Sequence, residues 1–352
     1  MKNQILLLVT LAAMMFNSYA TVRTVSNDPA GGAQYADLQS AYLASAATDT
    51  LMLEGTNIAY TVSNAINWSK QLVVIGIGFN PAKFNPRQTL INGLGNTTIV
   101  LNSVGNGSKF YGIRFTAASL ALNSTISNYT FEDCMFDNTL NFIGQSNLSG
   151  ITFRNCIFLL NGVNYIAGAT SNPYSNIVFL SCVFNGYIDG SGNTNSGVTV
   201  DHCIFLSTNN ALNNLQNSVI RNSIFMNVAN ITPTGSINNT FTNNISRLAT
   251  TYPPSGNMGS GNFTSTNPNF VTYTLNAAYS ASHDYHLNPT PSVLYVGTDA
   301  TDIGLHGGIA HFSETGEVLI NPIVRNVQIG NTSLAPNGNL NVTISAGKPN
   351  DQ

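Results

Sequence analysis

The chain has 352 residues, 8% of them charged, with 12 Lys+Arg against 15 Asp+Glu and a formal net charge of −3. So sparse and balanced a set of charges cannot assemble the basic face that a nucleic-acid backbone requires. A hydrophobic fraction of 43% is too high for a disordered chain.

In chain order, Lys2, the apolar run ILLLVTLAAMMF and Ser18-Tyr19-Ala20 as a small-x-small cleavage site read as a secretory signal peptide over residues 1–20. The run of 12 apolar residues is too short to span a bilayer, and no other long apolar stretch follows, so no membrane insertion is expected. The mature chain is expected to be secreted or held at the cell surface after cleavage near Ala20.

Residues 34–54 place Tyr35, Leu38, Ala41, Tyr42 and Ser45 on one helical face before LMLE turns to a strand. A short helix here caps the open apolar end of whatever follows. QLVVIGIGFNP (71–81), TLINGLG (89–95) and SKFYGIRFTAAS (108–119) supply early β-rich coils.

Six segments then repeat one pattern: YTFEDCMF (129–136), ITFRNCIF (151–158), IVFLSCVF (177–184), VTVDHCIF (198–205), SVIRNSIF (218–225) and NTFTNNIS (239–246). Cys134, Cys156, Cys182 and Cys203 share one column that continues as Ser223 and Asn244, in steps of 22, 26, 21, 20 and 21 residues. Ile113 extends the column backward by 21. Repeats of this length built from short Val/Ile/Phe runs define a solenoid whose coils bury their faces by stacking. The position before the cysteine is Asp133, Asn155, Ser181, His202, Asn222 and Asn243. All but Ser belong to types enriched in the left-handed backbone region, so each coil reads as strand, one-residue bend, strand.

Stacking sets equivalent residues roughly 4.8 Å apart. Glu132 then lies over Arg154 and Asp201 over Arg221, which reads first as two surface ion pairs worth about 0–1 kcal/mol each. The same geometry argues against disulfides, because side chains in one column point the same way and a disulfide needs converging vectors. Four buried, reduced thiols are expected. The column after the cysteines, Met135, Ile157, Val183, Ile204, Ile224 and Ile245, forms an aliphatic stripe that needs a cover. A long loop, a second molecule and the carboxy-terminal hairpin are the available covers, and the hairpin is preferred. An inward turn of this column at the bend is the competing reading.

DGSGNTN (189–195) spaces Asp189, Ser191, Asn193 and Asn195 as calcium-loop oxygens are spaced, but position twelve is Val200 rather than a closing Glu. A glycine-rich turn is the simpler reading, and no cofactor is required, calcium being the one candidate. His283, Asp284 and His286 can join Asp302 and His306 as a metal cluster, although such groups commonly satisfy turns. PIVRNVQIGNTSLAPNGNLNVTISAG (322–347) alternates around Pro336-Asn337-Gly338 as a hairpin.

YADLQSAY followed by ATDTLMLEGT (47–56) resembles the amino-terminal cap and first strand of right-handed parallel β-helix proteins of the pectin-lyase-like superfamily. NPNFV (267–271), DYHLNPTPS (284–292) and GTDATDIGLHGG (297–308) resemble the closing coils of exported bacterial β-helix proteins, especially from Bacteroidetes. The likeness spans roughly residues 22–312. It implies an all-β, right-handed parallel β-helix over 21–312 with a short capping helix, then an extension over 313–352 carrying the hairpin.

The superfamily holds lyases, hydrolases and adhesins, so the resemblance leaves activity open. A hydrolase of this type needs paired aspartates, and a lyase needs calcium carboxylates with a Lys or Arg base. Between residues 60 and 260 the acids are Glu132, Asp133, Asp137, Asp189 and Asp201, with no Asp-Asp pair. Arg154 and Arg221 are the candidate bases, and Asp201 and Glu132 the candidate acids. The expectation is a non-catalytic protein that binds a polysaccharide or cell-surface glycan; the alternative is a lyase or glycoside hydrolase acting on an acidic polysaccharide.

Overall fold

The computed structural model describes residues 20–80, 87–94, 98–116, 120–122, 125–138, 140–141, 148–159, 162–164, 175–190, 197–208, 210–232, 235–288, 295–310, 312–317, 323–329 and 342–347. Apart from Ala20, the leader expected over 1–20 lies outside them. The described chain is a parallel β-solenoid of about eight turns with very little helix, as the repeat predicts.

Three faces build each coil. An eleven-stranded parallel sheet runs from Val22–Val25 to Met258–Ser260, and a nine-stranded one from Tyr60–Val62 to Ile245–Ser246. The third face is divided into sheets of three and four strands, the latter from Leu140–Asn141 to Leu212–Asn213. Between the first two faces the chain turns on one residue. Asp133, Asn155, Ser181, His202, Asn222 and Asn243 have φ of 53°, 52°, 49°, 52°, 52° and 50°. The left-handed bend is therefore real, and it sets the apolar residues on either side of it into two walls of one core.

Two aromatic ladders fill that core. Phe110, Phe131, Phe153 and Phe179 stack at centroid spacings of 5.1, 5.2 and 5.1 Å. Phe136, Phe158, Phe184, Phe205 and Phe225 stack at 5.1, 4.8, 4.8 and 4.8 Å. Rings of one ladder meet the other edge-on, as Phe153 meets Phe158 at 73°. Offset and edge-to-face contacts both suit the ring quadrupole.

The cysteine column sits at the corner, buried, with all four thiols free. Burial pushes Cys134, Cys156 and Cys182 well above the ordinary thiol value. Its change from Cys to Ser to Asn has a hydrogen-bonding reason. From Cys182 onward the column residue's backbone N–H points along the stack, toward the side chain of the next coil. The Cys182 N–H meets Cys203 Sγ at 3.4 Å, the Ser223 N–H donates to Asn244 Oδ1 at 2.9 Å, and the Asn244 N–H to Asn262 Oδ1 at 3.0 Å. A small acceptor is what this corner needs, because a buried unpaired N–H is costly.

At the amino-terminal end, the helix Leu38–Ala44 is capped by Asp37, whose carboxylate accepts from the Ser40 N–H at 2.7 Å. Leu38, Ala41 and Tyr42 are buried on the first coils, and the Tyr42 ring stacks on Trp68 at 4.9 Å. This is the expected cap.

The opposite end departs from expectation. Beyond Phe263, which still bridges parallel to Ile245, the described residues up to Gly316 do not continue as coils of the long sheets; they fold back over the nine-stranded face. The Phe263 N–H donates to Asn244 O beside the last coil, and the first pass runs toward earlier coils until the Tyr279 N–H reaches Asn185 Oδ1 at 2.7 Å. Asp284–Leu287 returns antiparallel to Phe270–Thr272. A third pass descends from Val296, beside Asn243, to Thr315, whose carbonyl accepts from the Phe79 N–H.

This strap is the cover of the aliphatic stripe. Ile157, Val183, Ile204, Ile224 and Ile245 are 0% exposed beneath Phe270, Tyr285, Ile303, Leu305 and Phe312. The stripe does point out of the helix, into a second core separate from the phenylalanine ladders. The preference for the hairpin as its cover is corrected, and so is the inward alternative. The described segments of the strap lie along the length of the stripe. The hairpin strands Ile323–Ile329 and Val342–Gly347 pair antiparallel with each other.

Candidate functional site

The near edge of the strap runs along the left-handed bends, and the polar types those bends favour become its fastenings. Asn243 Nδ2 donates to Val296 O at 3.0 Å. Asn222 Oδ1 accepts from the Thr298 N–H at 2.8 Å, while its carbonyl accepts from the Gly304 N–H. Ser181 Oγ donates to Ala310 O at 3.3 Å. Gly304 has φ +98°, and a Cβ there would lie 2.6 Å from Ile224 Cδ1, so only glycine brings the strap this close.

Where the strap crosses three neighbouring coils, a cleft of about 330 Å³ opens, lined by Leu180, Ser181, Asp201, His202, Arg221, Asp299, Gly308, Ile309 and Ala310. Asp201, on the floor, is buried. Its carboxylate accepts from Arg221 Nε at 2.9 Å, Arg221 Nη2 at 2.8 Å and Asn222 Nδ2 at 2.9 Å. The guanidinium is thus gripped along one edge while its side chain remains 45% exposed.

His202 is buried, with Nδ1 3.1 Å from Gly304 O and Nε2 3.0 Å from Asp299 Oδ2 and 3.2 Å from Asn222 Nδ2. A carbonyl can only accept, so Nδ1 carries hydrogen. Burial disfavours the charged form of Asp299, yet hydrogen bonds from Thr301 and the neighbouring His202 outweigh it and hold this carboxyl below the usual value. Its side chain is 39% exposed toward the cleft.

The two ion pairs expected from stacking both form: Arg154 Nη1 lies 3.6 Å from Glu132 Oε2, and Arg221 pairs with Asp201. They do not merge into one cluster, because Leu180 lies between Arg154 and Asp201 in the strand register. Arg221 and Asp201 enter the cleft. Asp189 lies on the four-stranded face, accepting from Asn214 Nδ2 at 3.1 Å, while Ser191, Asn193 and Asn195 lie outside the described residues.

Of the five expected metal-cluster residues, Asp284, His286 and His306 come together. His283 turns instead to the Tyr285 hydroxyl at 3.2 Å, and Asp302 is exposed, bridged to Val296.

His202 and Asp299 are the cleft residues that sequence pattern does not single out. One signal existed, since His202 is the only imidazole in the bend column. Asp299 lies 97 residues away from it and reaches it only through the strap.

No protein-family model matches the sequence, and no curated protein matches it. Among solved structures, the pectin methylesterase from Aspergillus niger in deglycosylated form is similar, with 11% identity and a TM-score of 0.40 over 76% of this chain and 94% of that one. The PL6 family alginate lyase AlyGC is similar with 12% identity and a TM-score of 0.32 over 68% of this chain and 40% of that one. Neither similarity bears on activity. Among the described residues, no helix is long and apolar enough to cross a membrane.

Proposed function

We propose that this is an exported, non-catalytic β-helix protein that binds a polysaccharide or cell-surface glycan in the cleft between strap and coils. The observation carrying the reading is that the inner charges of the cleft already have protein partners. Asp201 accepts three hydrogen bonds, and His202 has both ring nitrogens engaged. General acid–base chemistry needs a group whose proton can reach the substrate, and a glycosidase acid needs a raised pKa. Asp299 is shifted the other way. What faces outward is the free edge of Arg221, the Asp299 carboxylate and the aliphatic side chain of Ile309, which is 95% exposed. An anchored guanidinium, a carboxylate and an apolar patch suit the hydroxyls, the acid groups and the C–H face of a sugar.

The second reading is a polysaccharide lyase or glycoside hydrolase working at the same cleft. It is favoured by the two carboxylates, Asp201 and Asp299, lying 3.7 and 3.0 Å from His202 Nε2.

A glycan array on the full chain, run beside a depolymerisation screen on uronic-acid polysaccharides, separates the two. Arg221→Ala should weaken binding about tenfold or more, the loss of a charge-assisted hydrogen bond. Arg154→Ala should leave binding unchanged. Release of unsaturated oligosaccharides, abolished by Arg221→Ala, would sink the binding reading.

A further inference from the structure

The strap carries a second constellation that the glycan reading does not use. In the strand Asp284–Leu287, residues 284 and 286 project to the same side, as alternate strand residues must. His306, from the third pass, lays its ring against that of His286 at a centroid spacing of 3.4 Å and an interplanar angle of 12°. One potential ligand atom from each of Asp284, His286 and His306 lies within 4.8 Å of the others. Glu314, farther along the third pass, brings Oε1 to 3.4 Å from His306 Nε2.

We propose that Asp284, His286, His306 and Glu314 form a zinc site that staples the second pass of the strap to the third. The donor chemistry selects the ion. Two imidazoles with two carboxylates suit a borderline cation and disfavour calcium or magnesium, which prefer all-oxygen shells. Zinc takes imidazole nitrogen and carboxylate oxygen at about 2.0–2.2 Å, so ligand atoms lie roughly 3.4 Å apart around a tetrahedral ion. Asp284, His286 and His306 lie within 4.8 Å of one another, and Glu314 reaches the group through His306. The His286 side chain is 57% exposed and has room to rotate toward the ion.

Four protein ligands would close the shell, which makes the site structural rather than catalytic. Its position gives the structural role a purpose. The second and third passes contribute Tyr285 and Ile303, Leu305 and Phe312 to the cover over the stripe, and a cross-link between those passes holds the cover down.

The test uses the full chain after treatment with a chelator. Titration with zinc chloride should show one tight equivalent per chain and a raised thermal unfolding midpoint, while magnesium chloride should show neither. His286→Ala and His306→Gln should each weaken zinc binding about a hundredfold. Asp302→Ala, at an exposed position outside the cluster, should not. His286→Ala alters an exposed side chain, so its unfolding midpoint in chelator should match that of the parent chain, which separates loss of the ion from loss of the fold. No stoichiometric zinc binding would overturn the proposal, as would binding that both histidine variants leave unchanged. Neither measurement involves a glycan, so the outcome is independent of the cleft.

Discussion

The backbone N–H of Cys203 donates to the hydroxyl of Ser223, one coil later in the same column, at 3.1 Å. That bond is one rung of a ladder running from Cys182 to Asn262, in which each of these corners is satisfied by the side chain above it. Asn244 serves two rungs, accepting from the Ser223 N–H and donating to Ile220 O at 3.0 Å. Asn244→Ala should therefore cost about 2 kcal/mol or more, since it strands both a buried donor and a buried acceptor. Cys203→Ser keeps an acceptor in place and should change stability by less than about 1 kcal/mol. Chemical unfolding of the three proteins checks the order.

The four thiols should be silent in the native protein and all four reactive after denaturation without reductant. Burial raises those of Cys134, Cys156 and Cys182, leaving little thiolate to react. Two or fewer reactive thiols in the denatured, unreduced sample would mean a disulfide.

Removing the strap and removing the hairpin should have different consequences. Truncation before Phe263 uncovers Ile157, Val183, Ile204, Ile224 and Ile245 together, and should raise hydrophobic-dye binding and promote association. Truncation after Glu317 leaves the strap in place and should stay dye-silent. Equal dye binding by both truncated chains would contradict the assignment of the cover.

Asp133 occupies a bend with its carboxyl buried. Burial, reinforced by the neighbouring Glu132 charge, pushes its pKa well above the ordinary carboxyl value, against the hydrogen bond from Asn155 and the charge of Arg154. A raised folded-state value means that the folded protein holds a proton the unfolded chain releases above about pH 4. Stability from this group thus declines as pH rises beyond that point. Asn tolerates the same left-handed backbone and carries no charge, so Asp133→Asn should stabilise the protein at pH 7 and lose the advantage near pH 3. Thermal unfolding at the two pH values reads the sign.

Asp299 should behave oppositely. Its folded-state value lies below the ordinary one, so its contribution is present above about pH 4 and fades as pH falls through the folded value. The groups facing it are His202 and the hydroxyl and backbone N–H of Thr301. Asp299→Asn should lower the unfolding midpoint at pH 6 and narrow the gap to the parent chain on acidification. An unchanged gap would remove Asp299 from the fastening of the strap.

Much of the coil was legible in the six repeated segments, for a local reason. A strand, a left-handed residue and a second strand follow from residue types a few positions apart, and stacking multiplies the pattern. From that alone came the solenoid, the reduced cysteines, the Glu132–Arg154 and Asp201–Arg221 pairs, and the need to cover the stripe at Met135 to Ile245. The capping helix at Leu38–Ala44 was equally local.

The cover itself was not legible. The strap has no repeat, and its contacts join residues as distant as Ser181 and Ala310, 129 apart in sequence. Pattern could show that an apolar surface needed a partner, but any amphipathic segment satisfies that need on paper. Only the folded chain selects one, through the close approach at Gly304 and the polar fastenings at Asn222 and His202. The cleft has the same origin. Asp201 and Arg221 were visible as a stacked pair on one face, whereas Asp299, which turns that pair into a cleft, arrives from a segment whose position the coil pattern does not encode. Periodicity determines what each coil buries, and tertiary contact decides what is laid across the coils and where a ligand can enter.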